Sequence, residues 1–184
     1  FGYKIADEVR RRFHLKLWNI YNFFVTYANL DGWSPSAKAM GDKKPKLSVL
    51  DEWILVRLNQ TTILATEGLD KFDAFTASDQ IDKFVDDLSL WYIRRSRSRV
   101  GPAAESKEDK NAFYHTTHYI LHTTALLLAP FTPFLSDVIY KNLTKEESIH
   151  LSAWPQGEIL SNKDIKILSE MQRVREIVEK AHAI

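Results

Sequence analysis

With 184 residues, 45% hydrophobic and 12% aromatic side chains, and only six Gly and six Pro, the chain carries enough apolar surface for one folded domain and is too poor in breakers for a disordered one. The absence of cysteine excludes disulfides, Cys-ligated zinc and thiol catalysis. A formal net charge of +1 is silent about nucleic acid, because binding depends on how charges cluster rather than on their sum, and no run approaches the roughly 18 apolar residues of a membrane span. The chain opens on Phe1-Gly2 rather than methionine and is expected to be a piece of a longer polypeptide.

Between Ala6 and Asn29, the residues Val9, Phe13, Leu17, Ile20, Phe24 and Ala28 recur at helical spacing. Trp18, Tyr21, Phe23, Val25 and Tyr27 widen that stripe, so the second half of the helix should be buried on several sides. Its first half carries Arg10, Arg11, Arg12, His14 and Lys16, a basic run suited to RNA, to a neighbouring domain or simply to solvent. Asp31-Gly32 and Ser34-Pro35 stop it. Ser36 to Lys46 reads as a mobile surface connection. Ser48, with Asp51 three positions on, predicts a capped start for a helix over Val49 to Leu69 that uses Leu50, Trp53, Ile54, Leu58, Thr61, Leu64 and Ala65, with a stop near Gly68.

A third helix should begin at Thr76 or Ser78 and bury Ile81, Phe84, Val85, Leu88, Trp91 and Tyr92. Its charges are sorted, with Asp79, Asp82, Asp86 and Asp87 first and Arg94, Arg95, Arg97 and Arg99 last, the order a helix dipole favours. Four guanidiniums in six residues repel one another and need either carboxylates or an anionic partner. At about 100° per residue, Arg95 and Arg99 continue the apolar face and are expected to pair with carboxylates of adjacent helices. Arg94 and Arg97 point away from it and are the better candidates for phosphate, whose oxygens match the arginine fork. For Trp91 the core reading is stronger than the interface one.

A fourth helix over Asp109 to Leu128 buries Phe113, Thr117, Ile120, Leu121, Thr124, Leu127 and Leu128. His115, His118 and His122 fall on its opposite side; without matching carboxylates they read as a wet histidine face rather than a metal site. Ala129 to Phe134 holds two prolines and must be a rigid aromatic corner. Leu135 to Leu143 resumes as a short helix, Ile149-His150-Leu151 looks extended, and a charged helix over Asn162 to Ala183 uses Ile167, Met171, Val174 and Val178 as a narrow stripe. The expected fold is all-α, a bundle of about five to six helices over residues 1–155, with 156–184 as a linker and helix leading toward a further domain. No Gly-rich phosphate loop, Ser/His/Asp arrangement or metal motif is present, and Asp86-Asp87 is discounted as an acid/base pair. On residues alone this is a binding module.

The local strings add up to more. Leu17-Trp18-Asn19-Ile20-Tyr21-Asn22-Phe23-Phe24, Tyr27-Ala28-Asn29-Leu30-Asp31-Gly32-Trp33, Leu50-Asp51-Glu52-Trp53-Ile54-Leu55-Val56-Arg57-Leu58-Asn59, Leu90-Trp91-Tyr92-Ile93-Arg94-Arg95-Ser96-Arg97 and Leu128-Ala129-Pro130-Phe131-Thr132-Pro133-Phe134-Leu135-Ser136 follow one another from about Val9 to Pro155. In order and spacing they resemble the anticodon-binding helical domain of class I isoleucyl-tRNA synthetases. His150-Leu151 before Trp154-Pro155 is similar to that family's closing strand, and Met171 to Glu179 to the helix after it. The resemblance implies a helical bundle receiving the anticodon stem-loop of the isoleucine tRNA, in a cytoplasmic and monomeric enzyme whose upstream catalytic domain uses ATP and magnesium. It implies no cofactor, metal or catalytic residue here, since neither the HIGH nor the KMSKS motif occurs. Phosphates would be neutralised by arginines and unpaired bases read by stacking and edge hydrogen bonds. The candidates are Arg94, Arg97 and Trp91, then Arg95 and Arg99, with Arg10, Arg11 and Arg12 as a second patch. The alternatives are a non-enzymatic protein-interaction module whose arginines pair only in cis, or the same domain of a valyl or leucyl enzyme.

Overall fold

The spacing rules lead to helices, and the computed structural model, which describes residues 2–35, 45–101, 104 and 106–182, contains helices and turns but no strand among those residues. The first begins as α1 (Tyr3–Val9), widens into a π-helical turn over Arg10–His14 and continues as α2 (Leu15–Leu30). Leu17, Ile20, Tyr21, Phe24 and Ala28 are buried, whereas Val9, at the other end of the same stripe, stays half exposed. Only the second half of the helix has neighbours to cover it. The connection expected over Ser36 to Lys46 falls, at 36–44, outside the described residues.

Ser48 starts α3 (Val49–Asp70) with the capping box read from sequence: its hydroxyl accepts from the Asp51 amide at 3.2 Å while Asp51 Oδ2 accepts from the Ser48 amide at 2.9 Å. The stop, expected at Gly68, comes at Phe72. The Phe72 amide donates to Leu69 O at 2.9 Å and that of Asp73 to Gly68 O at 2.8 Å, which forces φ of +57° on a phenylalanine. Gly68 instead marks close helix approach, for a Cβ there would lie 3.1 Å from both the Ala77 amide nitrogen and the Asp73 carbonyl oxygen. Asp73 caps α4 (Ala74–Asp87) by accepting from the Thr76 amide at 2.9 Å, so the helix starts slightly earlier than the sequence suggested. Arg12 reaches Asp82 at 2.7 Å and Lys16 pairs with Asp86, setting α2 and α4 side by side and parallel.

The helix does not end at Asp87. It passes through a π-helical segment (Leu88–Ile93), one α turn (Arg94–Ser96) and a 3-10 turn (Arg97–Arg99). Ser106 caps α5 (Lys107–Leu128), whose seven expected core residues are all buried. After the proline corner comes α6 (Pro133–Thr144), with Pro133 at its first position. Ile149–Leu151 is a 3-10 turn rather than an extended segment: Asp137 accepts from the Ile149 amide at 3.0 Å and from the Ser148 hydroxyl at 2.9 Å, which curls the chain. Last, α7 (Asn162–His182) lies along α3, with Ile167, Leu168 and Met171 against the core. The core thus runs between α2, α3, α4 and α5, and the arginines sit at its edge.

Phe72 is almost wholly exposed, so its ring gains nothing for the strain of a left-handed backbone. Phe72→Gly should therefore raise the unfolding free energy by about 1 kcal/mol, seen as a higher urea midpoint with an unchanged m-value; a lower midpoint would mean the ring is engaged.

Candidate nucleic-acid interface

A π turn holds more residues than an α turn, so every side chain after it is rotated backwards relative to an ideal α-helix. Beyond Leu88 the buried positions become Tyr92, Ser96 and Val100, at intervals of four rather than alternating three and four, with Ile93 beside them. This overturns the expected place of Arg95. It is exposed, has no carboxylate partner among the described residues, and lays its guanidinium over the Trp91 ring, 4.0 Å from the centroid. Trp91 is half-buried, its ring packed against the core from one side. Arg94 and Arg97 are exposed and, among the described residues, carry neither an ion pair nor a hydrogen bond from their guanidiniums.

Arg99 turns the other way. Its two terminal nitrogens donate to Asp51 Oδ1 at 2.7 Å and Oδ2 at 2.8 Å, and its Nε and Nη2 to Asp109 Oδ1 at 3.0 and 2.7 Å. The Tyr92 hydroxyl donates to Asp51 Oδ1 at 2.6 Å, and the Tyr92 ring stacks on Phe113 with centroids 5.9 Å apart. Asp51 has no solvent-exposed surface at all. Burial pushes its carboxyl upward, but Arg99, Tyr92 and Ser48 outweigh this and hold it below the usual carboxylate range. Tyr92 is pushed well above the ordinary phenol range by burial and by Asp51. Arg99 is thereby withdrawn from the candidate interface: its donors are consumed inside the protein, as its expected pairing with carboxylates requires. Residues two apart lie on opposite sides of a helix, and so Arg97 faces solvent while Arg99 faces the core.

The second patch is split too. Arg10 donates to Asp7 at 2.7 Å, Arg11 shares that carboxylate, and Arg12 holds Asp82. All three side chains are more than half exposed, and such pairs are worth at most about 1 kcal/mol, so they can be exchanged for other anions.

A protein-family model described as the anticodon-binding domain of tRNA ligase matches residues 51–184. The chain belongs to that family. It is 44% identical to the isoleucine–tRNA ligase of Dehalococcoides mccartyi over 164 residues, which covers 86% of this chain and 16% of that protein. It is 40% identical to that of Deinococcus radiodurans over 185 residues (100% of this chain, 17% of the relative) and 37% identical to that of Thermus thermophilus over 190 (100% and 18%). It therefore spans about a sixth of the length of the curated relatives it matches.

In this anticodon-binding domain the three histidines of α5 do not form a wet face. His115 packs edge-on against Trp33 at 5.1 Å, His118 lies between Phe24 and Trp33 with Nε2 3.4 Å from the Leu143 carbonyl oxygen, and His122 rests on Tyr140 at 5.3 Å. Trp33, just past the end of α2, and Tyr140 of α6 reach onto this side of α5, so the side opposite the core is covered as well. Among the described residues no three potential ligand side chains gather around a metal-sized space. Burial lowers the pKa of all three imidazoles, and in His115 and His122 the neighbouring His118 adds to it.

Asp51→Asn should destabilise the domain by about 3 kcal/mol or more, since the buried Arg99 guanidinium loses one of its two carboxylate partners; a chemical-denaturation loss under 1 kcal/mol would show that Asp109 alone suffices. The histidines predict a pH dependence of definite sign. Their folded pKa values lie below the unfolded value of about 6.5, so the unfolded chain binds more protons and stability falls as pH drops below that value. The melting temperature should decline from pH 7.5 to 5.5, and less so in His118→Leu; a flat profile would place the imidazoles in water.

Proposed function

We propose that the chain is the anticodon-binding domain of an isoleucine–tRNA ligase and that the anticodon stem-loop of the isoleucine tRNA lies along the Arg94–Arg97 edge. The observation that carries this reading is the exposed triplet Arg94, Arg95 and Arg97, none of which has a carboxylate partner among the described residues. Three fixed charges left uncompensated on a domain of near-zero net charge suit a polyanion. Arg94 and Arg97 reach phosphate oxygens, an orienting contribution that reads no sequence. Arg95 on Trp91 offers a guanidinium plane on which an unpaired base can stack. Arg10, Arg11 and Arg12 extend the positive edge at the far end of α2 by exchanging Asp7 and Asp82 for phosphate.

In the whole enzyme, a catalytic part elsewhere in the same polypeptide attaches isoleucine to the tRNA with ATP and magnesium; no residue here is assigned to them. Residues 1–155 are the receiving bundle and 156–184 the linker and helix that lead toward a further domain. The enzyme works as a cytoplasmic monomer. A protein-interaction module whose arginines pair only in cis is disfavoured by the unpaired triplet, and a valyl or leucyl origin by the identities of the relatives.

The test is filter binding of isoleucine tRNA and an unrelated tRNA across a salt series. Binding should prefer the isoleucine tRNA, and Arg94→Ala with Arg97→Ala should weaken it and flatten the slope of log K against log salt by up to about two units. An unchanged slope removes both residues from the interface.

A further inference from the structure

We propose that Arg175, on α7, is a positioning residue for the arginine edge: it fixes the π-helical segment and Trp91, and so the direction in which Arg94, Arg95 and Arg97 are displayed. The inference rests on the reading of that edge as an RNA surface.

Arg175 Nη1 donates to Asp87 Oδ1 at 2.7 Å, and Asp87 Oδ2 accepts from Arg57 Nε at 3.0 Å. Asp87 is buried, and each of its oxygens faces one guanidinium, from α7 on one side and α3 on the other. Asp87 is also the last residue of α4 before the π turn. A π turn is less favourable than an α turn and persists only where its surroundings hold it. Its far end is held by Arg99 inside the core; its near end is held by Asp87 between Arg57 and Arg175.

A second contact bears on the same segment. The Arg175 guanidinium lies over the Trp91 ring at 5.6 Å from the centroid, on the ring that carries Arg95 at 4.0 Å. Val178 and Glu179, one turn further along α7, face Leu90, Trp91, Arg94 and Arg95 across a cleft, so α7 forms the opposite wall of the arginine edge. Arg175 is itself only 27% exposed at its side chain and is paired with the buried Asp87. That places it behind the surface rather than on it. Its effect on RNA is to keep arginines that are already charged in one orientation, sparing the cost of ordering them on binding.

The experiment is the salt series with isoleucine tRNA on this chain, at a temperature where circular dichroism shows every variant folded. Arg175→Gln should weaken binding about three- to tenfold, the cost of ordering one or two arginine side chains, with the salt slope kept within about half a unit because the same phosphates are neutralised. Arg175→Lys, which can still pair with Asp87, should recover most of the loss. Asp87→Asn gives the sharper sign: removing a negative charge beside an RNA surface should strengthen binding by charge alone, whereas loss of positioning weakens it. Should Asp87→Asn fail to fold, the two Arg175 variants decide the matter. A slope lowered by about one unit in Arg175→Gln would make it a phosphate contact, and unchanged affinity would make it purely structural; either overturns the proposal. Wild-type chain that does not retain isoleucine tRNA at any salt overturns the RNA reading as well, which separates the two failures.

Discussion

The bidentate pairing of Arg99 with Asp51 is the interaction on which the arrangement of the other arginines depends. A guanidinium and a carboxylate this deep are costly to desolvate, and the cost is offset only because each donor and acceptor is filled, by Asp109, Tyr92 and Ser48 as well as by each other. Asp51 does two things at once. Its third position in α3 closes the capping box, and the same carboxylate anchors the end of a helix that began at Ala74. The start of α3, the end of the arginine helix and the first turn of α5 are thereby tied at one buried point. With Arg99 drawn inward, the chain just before it has a fixed direction, and Arg97, Arg95 and Arg94 are left outside.

What turns that anchor into a display is the π segment. Had the helix continued as α from Leu88, Arg95 would lie toward the core and need a carboxylate there, and only Arg94 and Arg97 would remain outside. The backward rotation exchanges Arg95 for Ser96 at the buried position, a small residue that fits with no exposed surface. One irregular turn thus converts two exposed arginines into three and places the third on the face of a tryptophan. Local irregularity of this kind is held by neighbours rather than by the helix itself, which is why Asp87, Arg57 and α7 matter to a surface they do not belong to.

The distribution of acidic partners sharpens the contrast between the two basic clusters. In the run after α1, Arg10 and Arg11 share Asp7 and Arg12 takes Asp82, so each arginine there has a carboxylate partner in an exchangeable ion pair. Along the edge after α4, the helix's own carboxylates come before the arginines, and Glu179 on the opposite wall forms no ion pair with them among the described residues, so the exposed end stays positive. The helix dipole and a polyanionic partner ask for the same positive sign at that end, and the arginines satisfy both.

Much of this was legible in order of residues. The capping box at Ser48, the core face of α5 from Phe113 to Leu128, the proline corner and the all-helical character follow from spacing and local hydrogen-bond chemistry, which act over one or two turns. The exposure of Arg94 and Arg97 could be read the same way, and the strings around them place the chain in its family. Phase beyond Leu88, the left-handed Phe72 and the covered histidines were not legible, because a straight 3.6-residue helix is the only ruler a sequence offers. Whether a turn widens, a phenylalanine replaces glycine at a helix end, or a far aromatic covers an imidazole is decided by residues up to some eighty positions away, as with Trp33 and His115. The sequence by itself determined which side chains carry charge and which segments coil. Only the packing of those segments decided which arginine is spent inside and which three remain for a partner, since that choice is an energy balance between burial and pairing that no single segment contains.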